Sequence, residues 1–261
     1  MALVVTLSIY MALCCIVYFI QEKLIFMPDK LPENHHFAFD QPFNEMFFKM
    51  EDGMLLNGVL FKADSSKGLI FYLHGNAGSI DGWGGVAKFY TDLHYDLFML
   101  DYRGYGKSKG NISSEKQLYS DVQAVYDDLK KQYKENAIVI LGYSIGTGPA
   151  AKLASTNNAR LLVLQAPYYS LTDMMRHQFP ILPTFLLKYK FETSRFLLQC
   201  KMPVVVFHGD ADEVIYYGSS LKLKQLFKRQ DTLITLKGGY HNGMSEREDY
   251  WNVFKEMINK D

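Results

Sequence analysis

The sequence predicts an α/β protein with a mostly parallel β-sheet and helices on both of its faces. Three observations carry this prediction. Short apolar runs alternate with longer amphipathic stretches, the runs lack polar alternation, and 48% of the 261 residues are hydrophobic. Parallel strands buried on both faces appear as continuous apolar runs, and strand–helix alternation places helices on both sides of such a sheet.

The composition limits the classes of partner. Lys plus Arg and Asp plus Glu number 28 each, so charge gives no reason to expect nucleic-acid binding. The three cysteines make no disulfide framework, and no Cys/His cluster has zinc spacing. We therefore expect no metal and no cofactor.

The first element is an uncharged run over residues 2–20. As a helix it would span roughly 28 Å, near the thickness of a bilayer's hydrocarbon core. We predict a single N-terminal transmembrane anchor over residues 1–22. A cleaved signal peptide would need a clearer basic region and cleavage site, and a buried core helix would usually keep a polar stripe. Lys23 and Lys30 favour a cytoplasmic main domain, but the sequence leaves the membrane side open.

A proline-containing linker is expected over 23–43, followed by one domain over 44–261. The domain begins with an antiparallel hairpin, because runs at 47–50 and 54–61 flank an Asp-Gly turn. A capping pair, Ser114 and Gln117, begins a helix, and Trp251, Phe254 and Ile258 share one face of the last helix. The buried strands are predicted at 69–73, 97–100, 138–141, 161–164, 204–207 and 232–236.

One interval, at about 168–200, is too long and too apolar for a plain connection. We predict a small helical cap there, over the C-terminal edge of the sheet; the alternative is one ordinary crossover helix. The cap's apolar side chains Phe179, Leu182 and Phe185 would line a substrate pocket together with Tyr143.

The strand at 138–141 leads into a Gly-x-Ser-x-Gly turn followed by small residues. A sharp strand-to-helix turn holds a serine hydroxyl clear of its surroundings, and the positions two before and two after must be small. Gly142 and Gly146 meet this need. Ser144 is therefore the candidate nucleophile.

A hydrolytic serine needs a base and a third group that orients the base. Of the seven histidines, His241 lies on a glycine-rich loop between the last strand and the last helix, and we predict that it is the base. His74 and His208 also end strands, but each opens a His-Gly turn, which favours a loop-shaping role. Spacing alone leaves the acid open between Asp210 and Asp212.

The oxyanion of an acyl-transfer intermediate needs two backbone donors. One is predicted to be the N–H of Ile145, directly after the serine. The other is expected from the loop at 74–78, with Asn76 preferred to Ala77. A phosphate-binding loop is the rival interpretation of these glycines, but neither phosphate-loop motif occurs.

Five stretches together resemble the α/β-hydrolase superfamily: 74–78, 101–106, 142–146, 208–214 and 239–242. Within it, the chain is similar to the membrane-anchored, bud-emergence-type serine hydrolases related to the prolyl-oligopeptidase-like group. The resemblance implies an α/β-hydrolase fold and places the acid at Asp212, since Asp210 falls at a variable position of the motif. It also implies that 101–104 is a structural turn beside the site. Tyr240 is a departure, because a small residue is common before the histidine.

The sequence thus predicts a membrane-anchored serine hydrolase acting on a carboxylic ester or thioester. A serine peptidase or amidase of the same fold is the alternative enzyme, and a non-catalytic scaffold is the alternative class. The apolar cap near a bilayer suggests a small-molecule or lipid-like acyl substrate. The oligomeric state stays open.

Overall fold

Residues 1–259 are described by the computed structural model; the end of the predicted domain, at 261, lies outside the described residues. The strands are β1 Met27–Pro28, β2 Phe43–Lys49, β3 Leu55–Phe61, β4 Leu69–Leu73, β5 Ala77–Gly78, β6 Asp96–Leu100, β7 Ile138–Tyr143, β8 Leu161–Gln165, β9 Val204–Gly209 and β10 Thr232–Leu236. Most strands of the described chain join one sheet in the order β10-β9-β8-β7-β4-β6-β3-β2, and a second, two-residue pair joins β1 to β5.

The large sheet is parallel from β10 to β6, and the hairpin of β2 and β3 adds antiparallel strands at one edge. This arrangement confirms the predicted mostly parallel sheet. Each of the six predicted buried strands lies within an observed strand. These runs are apolar throughout because both faces of the sheet are covered.

Helices cover both faces of the sheet, as predicted. The α-helices are α1 Ala2–Ile25, α2 Ile80–Trp83, α3 Ala87–Thr91, α4 Glu115–Leu129, α5 Thr147–Ser155, α6 Leu171–Gln178, α7 Thr193–Leu197, α8 Gly218–Lys224 and α9 Glu248–Ile258. Alternate side chains of β4 enter the two halves of the core: Phe71 shares one half with α4 and α5, and Tyr72 shares the other with α3 and α9.

The N-terminal helix is longer than the predicted anchor and ends at Ile25. The following segment, expected to be a linker, packs on the domain. Phe26 and Phe37 are buried, and β1 pairs in parallel with β5 beside the loop that follows β4. This short pairing holds the end of α1 against the C-terminal edge of the sheet.

The 168–200 interval contains two short helices with an irregular connection, rather than one crossover helix. The first, α6, lies at the C-terminal edge of the sheet, where Leu171 and Met174 line a cavity. The second, α7, contacts α5 and joins the main core through Leu197. Between them, residues 179–187 extend along α1. Tyr10 of α1 donates a hydrogen bond to the carbonyl oxygen of Ile181, and Gln21 donates one to that of Leu186.

Candidate active site

Ser144 lies at the sharp turn between β7 and α5. Its φ is +52°, a left-handed conformation that is uncommon for a residue with a side chain and strains the backbone. A Cβ on Gly142 would lie 2.6 Å from the Cβ of Ala150, and one on Gly146 would lie 2.1 Å from the carbonyl oxygen of Leu73. Glycine is therefore required on both sides of this serine.

His241 lies between Ser144 and Asp212 and joins them by hydrogen bonds. Its Nε2 is 3.0 Å from Ser144 Oγ, and its Nδ1 is 2.8 Å from Asp212 Oδ2. Because a carboxylate only accepts, we assign the proton to Nδ1, which leaves Nε2 free to accept from the serine hydroxyl. The structure thus brings together the three residues that the sequence predicts as nucleophile, base and acid.

The carboxylate of Asp212 is buried and fully engaged. Its Oδ1 accepts from the backbone N–H groups of Val214 and Ile215, both at 2.8 Å. Burial by itself would raise the pKa of this carboxyl, but hydrogen bonds from His208, His241 and the backbone hold the pKa well below its ordinary value. The group is therefore anionic at neutral pH and suited to orient an imidazole.

His208 is a contact of the acid that sequence reasoning missed. Its Nε2 lies 3.1 Å from Asp212 Oδ2 and 2.9 Å from the carbonyl oxygen of Ile215, and its Nδ1 lies 2.6 Å from Ser220 Oγ. Both partners of Nε2 are acceptors, so we assign a proton to Nε2. The side chain is fully buried and contacts the same oxygen of Asp212, Oδ2, that His241 contacts. Its four-residue spacing from Asp212 is the only signal the sequence offers.

The other candidate acid, Asp210, serves the loop itself. Its Oδ1 accepts from the N–H of Gly238 at 2.6 Å, and its Oδ2 pairs with Lys237 Nζ at 3.0 Å. These bonds tie the β9 loop to the loop that carries His241. The two aspartates therefore have different tasks, and it is Asp212 that contacts the imidazole.

The His241 backbone is held from both sides. Its N–H donates to Glu213 Oε2 at 3.1 Å, and its carbonyl oxygen accepts from the Tyr143 hydroxyl at 2.5 Å. Tyr240, the departure noted in the sequence, is 66% exposed and does not line the site. Its bulk is accommodated because the side chain lies at the surface.

The residues predicted to supply the oxyanion donors line the same cavity as the serine. Ile145 lies in the helical turn Ser144–Gly146, at the start of which backbone N–H groups have no partner within the helix. Asn76 and Ala77 line the same cavity as Ser144 and His241. The Asn76 side chain accepts from the N–H of Met27 at 3.1 Å, which fixes its loop to the segment after α1.

The turn at 101–106 lies behind this loop and supports it. Asp101 is buried and its Oδ1 accepts from the N–H of Ile80 at 2.9 Å. The Tyr102 hydroxyl donates to the carbonyl oxygen of His74 at 3.0 Å. Neither residue lines the cavity that contains Ser144 and His241, in keeping with a structural turn.

A cavity of about 380 Å³ opens at the serine. Tyr143 lines it, as predicted. Phe179, Leu182 and Phe185 do not line it, contrary to the prediction that they form the substrate pocket. These three side chains lie on the exposed segment beside α1 instead. The apolar walls come from the end of α1, from α6 and from the loop after Asp212: Leu24, Ile25, Leu171, Met174, Val214 and Ile215.

The fold and the strained serine define the class as a hydrolase of α/β type. The sequence profile of the family described as "Serine aminopeptidase, S33" matches residues 64–196. The alpha/beta hydrolase domain-containing protein 17B of Xenopus laevis is 30% identical over 200 residues, which cover 74% of this chain and 67% of that protein. The human protein of the same name is 29% identical over 203 residues, covering 76% and 68%.

An esterase from Pyrococcus furiosus has the same fold, with a TM-score of 0.71 and 18% identity over 90% of this chain and 97% of the esterase. The chain belongs to the α/β-hydrolase superfamily. Because the matching family consists of serine hydrolases, the protein is a serine hydrolase.

Proposed function

We propose that this protein is a membrane-anchored serine hydrolase that cleaves a carboxylic ester or thioester with the triad Ser144, His241 and Asp212. The observation that carries the proposal is the hydrogen-bonded chain of these three side chains at a strained turn. A non-catalytic scaffold has no use for such strain, which costs on the order of 1–3 kcal/mol. The hydrogen-bonded arrangement of the three side chains therefore supports catalysis.

The geometry supports a two-step acyl transfer. Ser144 Oγ attacks the acyl carbon while His241 Nε2 accepts its proton, and Asp212 stabilises the resulting imidazolium. The tetrahedral intermediate then expels an alcohol or thiol, which takes the proton from Nε2. A water molecule next attacks the acyl-enzyme, again giving its proton to Nε2, and the acid product leaves as Ser144 recovers its hydrogen.

Charge on the carbonyl oxygen develops at the start of the helical turn after the serine. We propose that the N–H groups of Ile145 and Asn76 stabilise it, with Ala77 as the alternative second donor. Both loops meet at the cavity that Ser144 and His241 line. One such donor is worth about 10²–10³ in kcat in other acyl-transfer enzymes.

The cavity favours an ester or thioester over a peptide with a free amino terminus. An aminopeptidase needs a negative group to pair with the substrate's ammonium. Among residues 1–259, no aspartate or glutamate lines the cavity, and its walls are mainly apolar.

The anchor is proposed from α1. Over its most apolar 18-residue window, only 6% of the helix is buried, and the mean hydropathy of the window is 2.5. A core helix would be covered on most sides. We propose that residues 1–22 span the bilayer and that the hydrolase domain begins at about residue 44, with the intervening segment packed on it.

A panel of p-nitrophenyl esters with acyl chains of increasing length tests the proposed activity. Wild type is expected to hydrolyse them and Ser144→Ala to lose turnover. Ser155→Ala is the matched control, because Ser155 lies at the last position of α5 and its hydroxyl donates to the carbonyl oxygen of Lys152. Equal turnover by Ser144→Ala and Ser155→Ala would refute the assignment of the nucleophile.

A further inference from the structure

The segment at 179–187, here called the apolar loop, exposes large hydrophobic side chains. Phe179 is 55% exposed, Ile181 72% and Phe185 82%. A contiguous apolar surface of this kind is rare on a soluble domain and marks a site of contact with a protein or a membrane. The apolar loop therefore requires an apolar environment.

The apolar loop lies along the proposed transmembrane helix, and its helical turn at Thr184–Leu186 contacts both α1 and α6. The Tyr10 hydroxyl donates to the carbonyl oxygen of Ile181 at 2.7 Å, and Gln21 Nε2 donates to that of Leu186 at 3.1 Å. Tyr10 and Gln21 are separated by about 16 Å along a helix axis. The apolar loop thus lies beside α1 from Gln21 to Tyr10 and shares the environment of this part of the helix.

Irregular backbone survives at membrane depth only where its polar groups are satisfied by protein. Pro180 and Pro183 have no N–H group to satisfy. The carbonyl groups of Ile181 and Leu186 accept from α1, and Gln21 Oε1 also accepts from the N–H of Lys188 at 2.8 Å. Two polar side chains of this predominantly apolar helix are therefore used to satisfy this backbone.

Charges appear at the same level on both elements. Lys188 Nζ, at the end of the apolar loop, lies 3.0 Å from Glu22 Oε1 and 4.7 Å from the centre of the Tyr18 ring. Lysine and tyrosine are typical of the boundary between hydrocarbon and water. Tyr18, Glu22 and Lys188 thus lie close together near the ends of α1 and of the apolar loop, where both elements lead into the domain.

We propose that the apolar loop inserts into the same bilayer as α1 and holds the hydrolase domain against the membrane at a second point. The inference rests on the proposed anchor and deepens the proposed function. Leu24 and Ile25, directly after the charged level, line the catalytic cavity. The cavity therefore opens beside the bilayer, and an acyl chain reaches Ser144 from the lipid.

Tryptophan quenching in phosphatidylcholine vesicles tests the insertion with the full-length protein. Phe185→Trp reports on the apolar loop, Phe19→Trp is the reference inside the bilayer, and Phe47→Trp is the exposed reference on the edge strand β2. Each is compared with wild type, which contains only Trp83 and Trp251. The vesicles carry either ordinary or brominated acyl chains, and bromine quenches tryptophan only at short range.

Quenching at 185 comparable to that at 19, with none at 47, is the expected result. Quenching at 19 without quenching at 185 overturns insertion of the apolar loop. If cross-linking then shows a dimer through residue 185, a second copy covers the surface instead. Absence of quenching at 19 removes the anchor on which the proposal rests. All of these outcomes are read in Ser144→Ala as well, so they do not depend on catalysis.

A charge placed in the apolar loop tests its role in catalysis. A carboxylate side chain lowers the equilibrium constant for transfer of a segment from water into hydrocarbon by about a hundredfold. Phe185→Asp is expected to lower hydrolysis of a long-chain ester in vesicles by at least about tenfold while leaving a soluble acetate ester unchanged. Phe47→Asp, the matched control, should leave both unchanged. Unchanged vesicle activity in Phe185→Asp contradicts the proposal, whereas loss of both activities indicates misfolding, and the Phe185→Trp quenching then decides.

Discussion

Replacement of Gly146 by alanine tests the packing on which the catalytic turn depends. The added Cβ would lie 2.1 Å from the carbonyl oxygen of Leu73 and 2.7 Å from that of His74, where ordinary contact begins at 3.4 Å. Both oxygens belong to the backbone at the end of β4, which is held between β6 and β7. The overlap cannot be relieved by turning a side chain.

Overpacking in a core typically costs about 1–3 kcal/mol, and contact with fixed backbone places Gly146→Ala at the upper end. For a domain of this size, we expect Tm to fall by roughly 6–12 °C. The clash also separates Ile145 from the loop at 74–78, so kcat should fall by about 10²–10³ through loss of an oxyanion donor.

The assay combines thermal unfolding in detergent with hydrolysis of a p-nitrophenyl ester. Gly82→Ala is the matched control, because a Cβ there meets nothing within 4 Å and the residue has no positive φ. We expect its Tm and kcat to equal those of wild type. Wild-type values for Gly146→Ala as well would refute the account of the turn.

Further predictions concern the acid and its contacts. Asp212→Asn should lower kcat by about 10³–10⁴, since the imidazole loses its orienting carboxylate, whereas Asp210→Asn should retain activity. His208→Ala should lower kcat by about tenfold, through loss of a hydrogen bond to the carboxylate, and a kcat equal to wild type would contradict that positioning. Because the folded pKa of Asp212 lies below its unfolded value of about 3.9, its ionisation stabilises the fold above that pH and the stabilisation is lost as pH falls further. Tm measured from pH 6 down to pH 3 should therefore decline more in wild type than in Asp212→Asn.

Much of the fold follows from the sequence because one physical rule governs the strands. Runs such as 138–141 and 204–207 are apolar at every position, which only a sheet covered on both faces explains. The nucleophile turn is equally readable, since Gly142 and Gly146 are required by contacts that any such turn makes. These features depend on local sequence.

The pocket walls depend on contacts between distant segments, and there the prediction failed. Phe179, Leu182 and Phe185 were expected to line the pocket because a cap was predicted over the C-terminal edge of the sheet. They lie on the exposed segment beside α1, and Leu24 and Ile25 take the place expected for them. His208 was given a loop-shaping role because it opens a His-Gly turn, and its bond to Asp212 depends on how the β9 loop folds back.

The central claim is that Ser144 is the nucleophile, and mapping a fluorophosphonate adduct by mass spectrometry tests it most directly. The tryptic peptide 135–152 contains Ser144 as its only serine, so an adduct there is readily localised. We expect modification of Ser144 in wild type, and its loss in both Ser144→Ala and His241→Ala. Modification of a different residue, or none in folded wild-type protein, would contradict it.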